Sequence, residues 1–598
     1  MKKTLKLFAF FLAVSSMLVI QSCDNGEDIN PAPTVTVDPT TAQNIPGGTV
    51  SAALTVTAPN GAQDLVIYVA GEEEETRDIS TTDLSSPLDF DYTIPNDAIV
   101  GSKIVVSFQV IDSKNYPSVA TNFIITVGDP VITLQGNLIT QTLDASKPYL
   151  LKGQVFIPSG VTLTVPAGTI VKGDKASKAV LIVQPGGKLI AEGTSTNPIV
   201  FTSAQAIGER DRGDWGGIVM LGNAFVNQTA KPAIEGISPT QNFGSVAADG
   251  ATPSTNATEN SGSLKYVRIE YAGIELTPNN ETNSLTMGGI GNGTTVEYVQ
   301  VSFGGDDGFE WFGGTVNGKY LVSHSTWDDD FDTDYGWGGN VQFGLVIRNP
   351  FFADQSGSNA FESDNQANAN TIAGLCDGAT TIGCTRGIFS NISVLGPREI
   401  QSRTISGTYQ NAIHIRRRTA ISIFNSFFSG YRIGLRVDDQ GTLDNLTSGA
   451  GKHAYNVLSV PGATLIGTST SASDAAFATG LTIAPNGAGN ATAISDYWTA
   501  NNNTAFNNIT NASTFTDLGV TGSLFWGAQT SSTYPSNPSF TLVAGVAGNS
   551  NLNSGANFTD AKFTGNTFFN TAGAYRGAFG TTDWTDGWAE FQPLNKVY

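Results

Sequence analysis

The sequence predicts an all-β chain, an N-terminal immunoglobulin-like β-sandwich followed by a parallel β-helix solenoid, and three observations carry that prediction. Glycine supplies 67 of the 598 residues while only 14% are charged, which favours turn-rich β structure over helix bundles. One short pattern is written three times, as Asp307-Gly-Phe-Glu310, Asp329-Asp-Phe-Asp332 and Asn359-Ala-Phe-Glu362, so that Phe309, Phe331 and Phe361 fall 22 and 30 residues apart. A spacing of about 22 residues is one coil of a β-helix, in which like positions stack on the coil below. Finally, Tyr266-Val-Arg-Ile-Glu-Tyr271, Tyr298-Val-Gln-Val-Ser-Phe303 and Tyr320-Leu-Val-Ser323 open successive segments in self-similar fashion.

The elements follow in chain order. Residues 1–22 have a basic start and an apolar run from Leu7 to Ile20, a secretory leader too short for a flanked bilayer span. The run stops at Ile20-Gln-Ser-Cys23, a lipobox-like end at which Cys23 is the expected lipidation site. Residues 23–33, acidic and then carrying Pro31 and Pro33, read as a tether. Residues 34–128 hold about seven short alternating runs, among them Val50 to Thr57, Leu65 to Val69 and Ile104 to Ile111, which fit a sandwich acting as a spacer. From residue 130 to 457, short strands alternate with Gly or Pro corners, as in Val155 to Val165 before Pro166-Ala-Gly-Thr169. Each such strand buries its apolar face only when the next coil covers it. Ser238 to Gly262 reads as a polar surface loop. Residues 458–598 lose the regularity, with a helix expected near Ala493 to Ala505, and are expected to form the C-terminal end of the β-helix and its cap.

Charge narrows the partners. The formal net charge is −21, and removing the leader leaves 28 basic against 52 acidic side chains. Such a surface repels phosphate backbones and argues against nucleic acid. From Asp306 to Asp364 there are eleven acidic residues against Lys319 and Arg348. Alternation in a strand puts the ladder phenylalanines inside and Glu310, Asp332 and Glu362 outside, with Phe312, Asp334 and Asp364 two residues further along the same face. Stacked carboxylates about 5 Å apart are unfavourable unless a cation screens them. Calcium, with its six to eight oxygen ligands, is the expected ion, held by Asp307, Glu310, Asp328, Asp330, Asp332, Asp334, Glu362 and Asp364. The run is not an EF-hand, because Val341 stands where that loop, counted from Asp330, requires a glutamate.

Extending the register to Ile413-His-Ile-Arg416 and Ile433-Gly-Leu-Arg436 places Arg416 beside Asp364, with Arg436 in the same outer row. Trp327, Tyr335 and Trp337 surround the patch and are the candidate rings for stacking on sugars, while Trp311 shares the inward parity of Phe309. Cys376 and Cys384, separated by a seven-residue Gly- and Thr-rich loop of an exported chain, read as a local disulfide. The three histidines are scattered, and no Ser-His-Asp order, phosphate loop or zinc spacing stands out.

The leader with its acidic Asp24-Asn-Gly-Glu-Asp28, the sandwich, and the segments Gly213-Asp-Trp-Gly-Gly217, Asp306 to Gly314, Asp328 to Asp334 and Asp354 to Asp364 together resemble surface lipoproteins of Bacteroidota with a right-handed, pectin-lyase-like β-helix. That family has no settled activity. The resemblance implies attachment to the outer membrane through an N-terminal lipid, exposure at the cell surface, and a polysaccharide or an outer-membrane transporter as partner. Pectate-lyase-like enzymes hold calcium with acidic side chains and use an arginine or lysine as base, which makes Arg416 and Arg436 the catalytic candidates if the chain is an enzyme. Polygalacturonase-like hydrolases would offer a Gly-His-Gly segment, which is missing here. Three readings remain open: a glycan- or partner-binding surface protein, a calcium-dependent polysaccharide lyase or glycoside hydrolase, and an adhesin or structural envelope protein.

Overall fold

The structure is a computed structural model, described for residues 30–128, 130–277, 280–366, 376, 382–398, 404–431, 433–459, 481–483, 491–506, 519–521, 524, 526, 533–543 and 551–598. The leader and Cys23 lie outside the described residues. The chain divides into two compact units, one ending at Pro130 and the other running from Val131 to Tyr598.

In the first unit, eight strands between Thr34 and Val127 form a three-stranded and a five-stranded sheet. Alternation sets the faces: in Thr34–Asp38 and Thr49–Thr57 every second residue is buried. Leu54, Phe108 and Phe123 are wholly buried between the sheets, and Phe90 meets Phe108 edge-on at 4.8 Å. This is the immunoglobulin-like sandwich that the short alternating runs predict, with one strand more.

The second unit is a parallel β-helix. Its strands from Ile132 to Phe506 join one 26-stranded sheet, apart from Glu275–Thr277 and Asn280–Glu281, which pair with each other. The inner row runs Leu285, Phe309, Phe331, Phe361, Ile413, Leu435 in direct register. Phe309 and Phe331 stack at 5.6 Å, and Trp311, also inward, packs on Trp337 at 5.1 Å. The sequence reading aligned Ile433 with Ile413, but Leu435 takes that place, a shift of two residues. Alternation alone permits either, because a two-residue slip keeps every side chain on its own face.

The self-similar tyrosines are corners as well as openings. Tyr266, Tyr298, Tyr320, Phe343, Asn391 and Asn425 all adopt left-handed φ, between +49° and +63°. That conformation is uncommon for bulky residues. Here stacking offsets the strain: Tyr266 on Tyr298 and Tyr298 on Tyr320 lie at 4.3 Å, and Tyr320 on Phe343 at 5.1 Å. The Asp-Trp pair of Gly213-Asp-Trp-Gly-Gly217 is also structural. The Trp215 ring lies so close to Gly173 that a Cβ there would meet it at 2.5 Å, and Asp214 is buried against Lys175 at 2.7 Å and Ser203 at 2.6 Å.

Two expectations are corrected. The insertion expected as a polar loop over 238–262 carries Phe243 and Val246, which with Val226, Ile234 and Ile237 cover the outward residues Val180, Ile182, Val219, Leu221 and Phe312. It is a cover for an apolar outer face. The tail is likewise more than an end cap. Strands Leu481–Ile483 and Thr504–Phe506 and the helix Ala491–Ala500 extend the stack, but residues 551–598 return along the flank, where Tyr598 hydrogen-bonds Glu270 at 2.6 Å. The outward residues Val322, Leu345, Phe427 and Val457 are apolar and are buried by this return together with Val520, Leu524, Trp526 and Phe540.

Candidate functional site

The outward row beside the phenylalanine stack reads Thr286, Glu310, Asp332, Glu362, His414, Arg436 in register, so that its charge changes sign along the axis. Corners just before these strands add Asp306 and Asp307 on one coil and Asp328 and Asp329 on the next. With Glu235 and Glu281 they wall a cavity of about 350 Å³ with nine carboxylates, against which stand, among the described residues, only His414 and Arg416 as potential cations. Two triplets come close enough to share one ion: Asp306, Asp307 and Asp328, and Asp307, Glu310 and Asp332, each with carboxylate oxygens within 4.8 Å of one another. Asp307 belongs to both.

Hydrogen bonds satisfy part of this charge. Asp307 accepts from the Asp329 amide at 2.8 Å, Glu310 accepts from the Asn283 side chain, and Asp328 accepts from Ser356 Oγ at 3.2 Å. Asp328 Oδ1 and Asp332 Oδ1 are buried without a hydrogen-bond partner among the described residues. Burial first, then the neighbouring carboxylates, push Asp306, Asp307, Glu310, Asp329 and Asp332 well above the usual carboxylate range. The same causes raise Asp328 to about 7 and Asp334 to about 8. Without a cation, the cluster holds protons near neutrality. The hard oxygen donors are of the kind that hold a divalent cation such as calcium or magnesium.

The basic end is closed by ion pairs. Arg416 Nε donates to Asp364 Oδ1 at 2.6 Å and its Nη2 to Glu362 Oε1, while Arg417 donates to Asp364 Oδ2 at 2.6 Å. His414 lies between Glu362 and Asp438, 3.2 Å from each. Burial disfavours its cation, yet the two carboxylates prevail and hold it above the ordinary histidine range. Burial raises Glu362, but the His414 hydrogen bond and Arg416 outweigh it and hold that carboxyl below its ordinary range.

Several sequence-predicted residues fall elsewhere. Asp330 points inward, to Ser323 Oγ at 2.6 Å and the buried Arg348 at 3.2 Å, so it is not part of the outer patch. It precedes the strand Phe331–Asp334, where the chain turns a corner and strict alternation does not apply; Asp329 lines the cavity instead. Arg436 stands in the row of His414, not that of Arg416, and pairs with Asp438 at 2.7 Å. Trp337 is fully buried against Trp311 and Phe389 and has no face to offer a sugar. Tyr335 is half-buried on Phe312 at 5.1 Å. Trp327 does border a groove, but the Arg212 guanidinium covers its ring at 3.6 Å, and its Nε1 donates to Asp354 at 2.7 Å. His324 is buried between Phe303 and Tyr534, and burial lowers it to about 3. A disulfide joins Cys376 and Cys384, with Cα atoms 5.1 Å apart.

The groove of about 880 Å³ adjoins the acidic cavity and shares Glu281, Asp306, Asp328 and Ser356 with it. Lys178, Arg212 and Trp327 line it, and Gly213, Gly273 and Gly305 leave part of its floor without side chains. Sequence reasoning missed Glu235 and Glu281, which reach the cavity from distant segments with no ladder periodicity, Asp306, whose only signal was adjacency to Asp307, and Asp329, which holds the place of Asp307 in the repeated pattern.

A family model described as a pectate-lyase-like β-helix domain matches residues 136–503. Among solved structures, the fibronectin(III)-like modules of CbhA from Clostridium thermocellum match at 17% identity with a TM-score of 0.13, over 16% of this chain and 47% of that one, less than half its length. No curated protein matches.

Proposed function

Because the chain belongs to the pectate-lyase-like β-helix domain family, we propose that it binds a polysaccharide on the flank of its solenoid, with calcium held in the acidic cavity. The observation that carries this reading is the crowding of nine carboxylates, two of them with buried unpartnered oxygens, around one cavity. Such a cluster is stable in ionised form only when a cation neutralises it. The ions would be held by Asp307 with Glu310 and Asp332, and by Asp307 with Asp306 and Asp328. The adjoining groove, open and lined largely by polar side chains, supports the reading that a glycan binds there.

Binding is favoured over cleavage by the state of the arginines. A lyase base must give up its proton, whereas Arg416 is engaged by Glu362 and Asp364, which raise its already high pKa further, and Arg436 is engaged by Asp438. The leader and Cys23 support attachment to the outer membrane with the solenoid at the cell surface, where a transporter is the natural protein partner. The test is titration of purified protein with a panel of polysaccharides in calcium and in chelator, with product absorbance followed in parallel. Calcium-dependent binding without unsaturated product supports the proposal. Cleavage that Arg416→Ala abolishes replaces it with the lyase reading, and absence of binding in calcium sinks it.

A further inference from the structure

The flank covered by residues 551–598 is built to hold a polypeptide main chain. Three amide side chains of the β-helix each grip one residue of that segment with two hydrogen bonds. Gln300 donates to the Glu590 carbonyl at 2.7 Å and accepts from its amide at 2.8 Å. Gln342 does the same to Asn570, at 2.9 and 2.7 Å, and Asn425 to Asn557, at 3.1 and 2.8 Å. A side-chain amide has one acceptor and a donor in the geometry of a peptide group, so each acts as a one-residue sheet partner. All three are wholly buried. Among the described residues the segment itself contributes no strand to the sheet.

Aromatic contacts fix its register. Trp588 meets Tyr266 and Tyr298 edge-on at 6.0 and 5.9 Å, and Trp584 lies 5.4 Å from Tyr320. Beneath the segment lie the outward apolar residues Val322, Leu345 and Phe427, whose cover it shares with Val520, Leu524 and Phe540.

We propose that this flank is a peptide-binding groove that reads main chain through Gln300, Gln342 and Asn425 and register through the tyrosine corners. Its resident ligand is segment 551–598 of the same chain, and the same segment supplied by a second molecule takes its place once the covalent link is cut. Main-chain groups are common to all residues but proline, so the amide grips tolerate sequence change while the two tryptophans select the frame.

The test uses the full chain with a protease site introduced within residues 544–550. After cleavage in native buffer, the fragment is expected to co-elute with the β-helix, and a dye-labelled synthetic 551–598 peptide to exchange into the cleaved chain but not into the uncleaved one. Gln342→Leu and Asn425→Leu, singly, are expected to speed release at least tenfold with the far-ultraviolet dichroism unchanged. Immediate loss of the fragment on cleavage, retention unaffected by the leucine variants, or equal uptake of peptide by the uncleaved chain would each overturn the proposal. Calcium and glycan play no part in it, so its outcome is independent of the function proposed above.

Discussion

Asp332→Asn isolates the electrostatic argument in one nearly isosteric change. Asp332 lies in register between Glu310 and Glu362, its Oδ1 is buried without a partner among the described residues, and its carboxyl is raised first by burial and then by those two neighbours. Adjacent strands sit about 4.8 Å apart, and two unit charges about 5 Å apart repel by roughly 3 kcal/mol at an effective dielectric of about 20. Glu362 is partly neutralised by Arg416, so the relief comes mainly from Glu310 and amounts to about 1–3 kcal/mol. The sign with pH follows from linkage. Carboxyls raised in the folded state bind more protons there than when unfolded, so their contribution to stability is present below about pH 4 and is lost as pH rises through the folded values. Asp328 at about 7 and Asp334 at about 8 place that loss across neutrality. The assay is thermal melting of wild type and variant at pH 4 and pH 8, in chelator and in calcium. In chelator at pH 8 the variant is expected to melt a few degrees above wild type, and the two converge at pH 4. Calcium at about a hundred times its dissociation constant raises wild type by about 2.7 kcal/mol, and the variant by much less. A wild-type midpoint that is the same in calcium and chelator, or a variant less stable than wild type in chelator at pH 8, would refute the reasoning.

Other outcomes are expected with it. Arg416→Ala leaves Glu362 with His414 and Asp364 with Arg417 as their remaining partners and should cost on the order of 2–4 kcal/mol in denaturant unfolding at pH 7, with the loss shrinking at pH 4 as the carboxylates take up protons. Trp337→Ala should lower stability by about 3–5 kcal/mol through the cavity it leaves in the coil interior, without altering any glycan affinity, whereas Trp327→Ala should alter affinity while sparing the fold. His414 has a raised folded pKa, so its stabilising pairs with Glu362 and Asp438 are complete below about pH 6.5 and fade as pH rises through the folded value. In His414→Gln that segment of the pH–stability profile should flatten, which urea midpoints between pH 5 and 9 would reveal.

Much of the fold was legible because a solenoid writes its geometry as a period. The 22-residue step from Phe309 to Phe331 and the 30-residue step to Phe361 both correspond to one coil, and the register between them is direct. The pairing of Arg416 with Asp364 followed from the same alternation, across a stretch of about fifty residues. Legibility failed where alternation stops constraining the chain. Asp330 sits at a corner and turns inward to Arg348; Trp337 lies past the strand end and is buried; Arg436 is displaced by a two-residue slip that parity cannot detect.

The sequence by itself determined the β class, the sandwich ahead of the solenoid, and the inward phenylalanine row with carboxylates outside it, because period-two alternation and the repeat length act locally along one strand and one coil. Only the tertiary structure decided what closes over the outer faces. Glu235 and Glu281 complete the acidic cavity from segments outside the ladder, and residues 551–598 return to grip Gln300, Gln342 and Asn425. Such contacts join residues up to 290 positions apart. No local period encodes them, and their stabilisation comes from burying apolar rows and pairing polar groups that meet only after the coils have stacked.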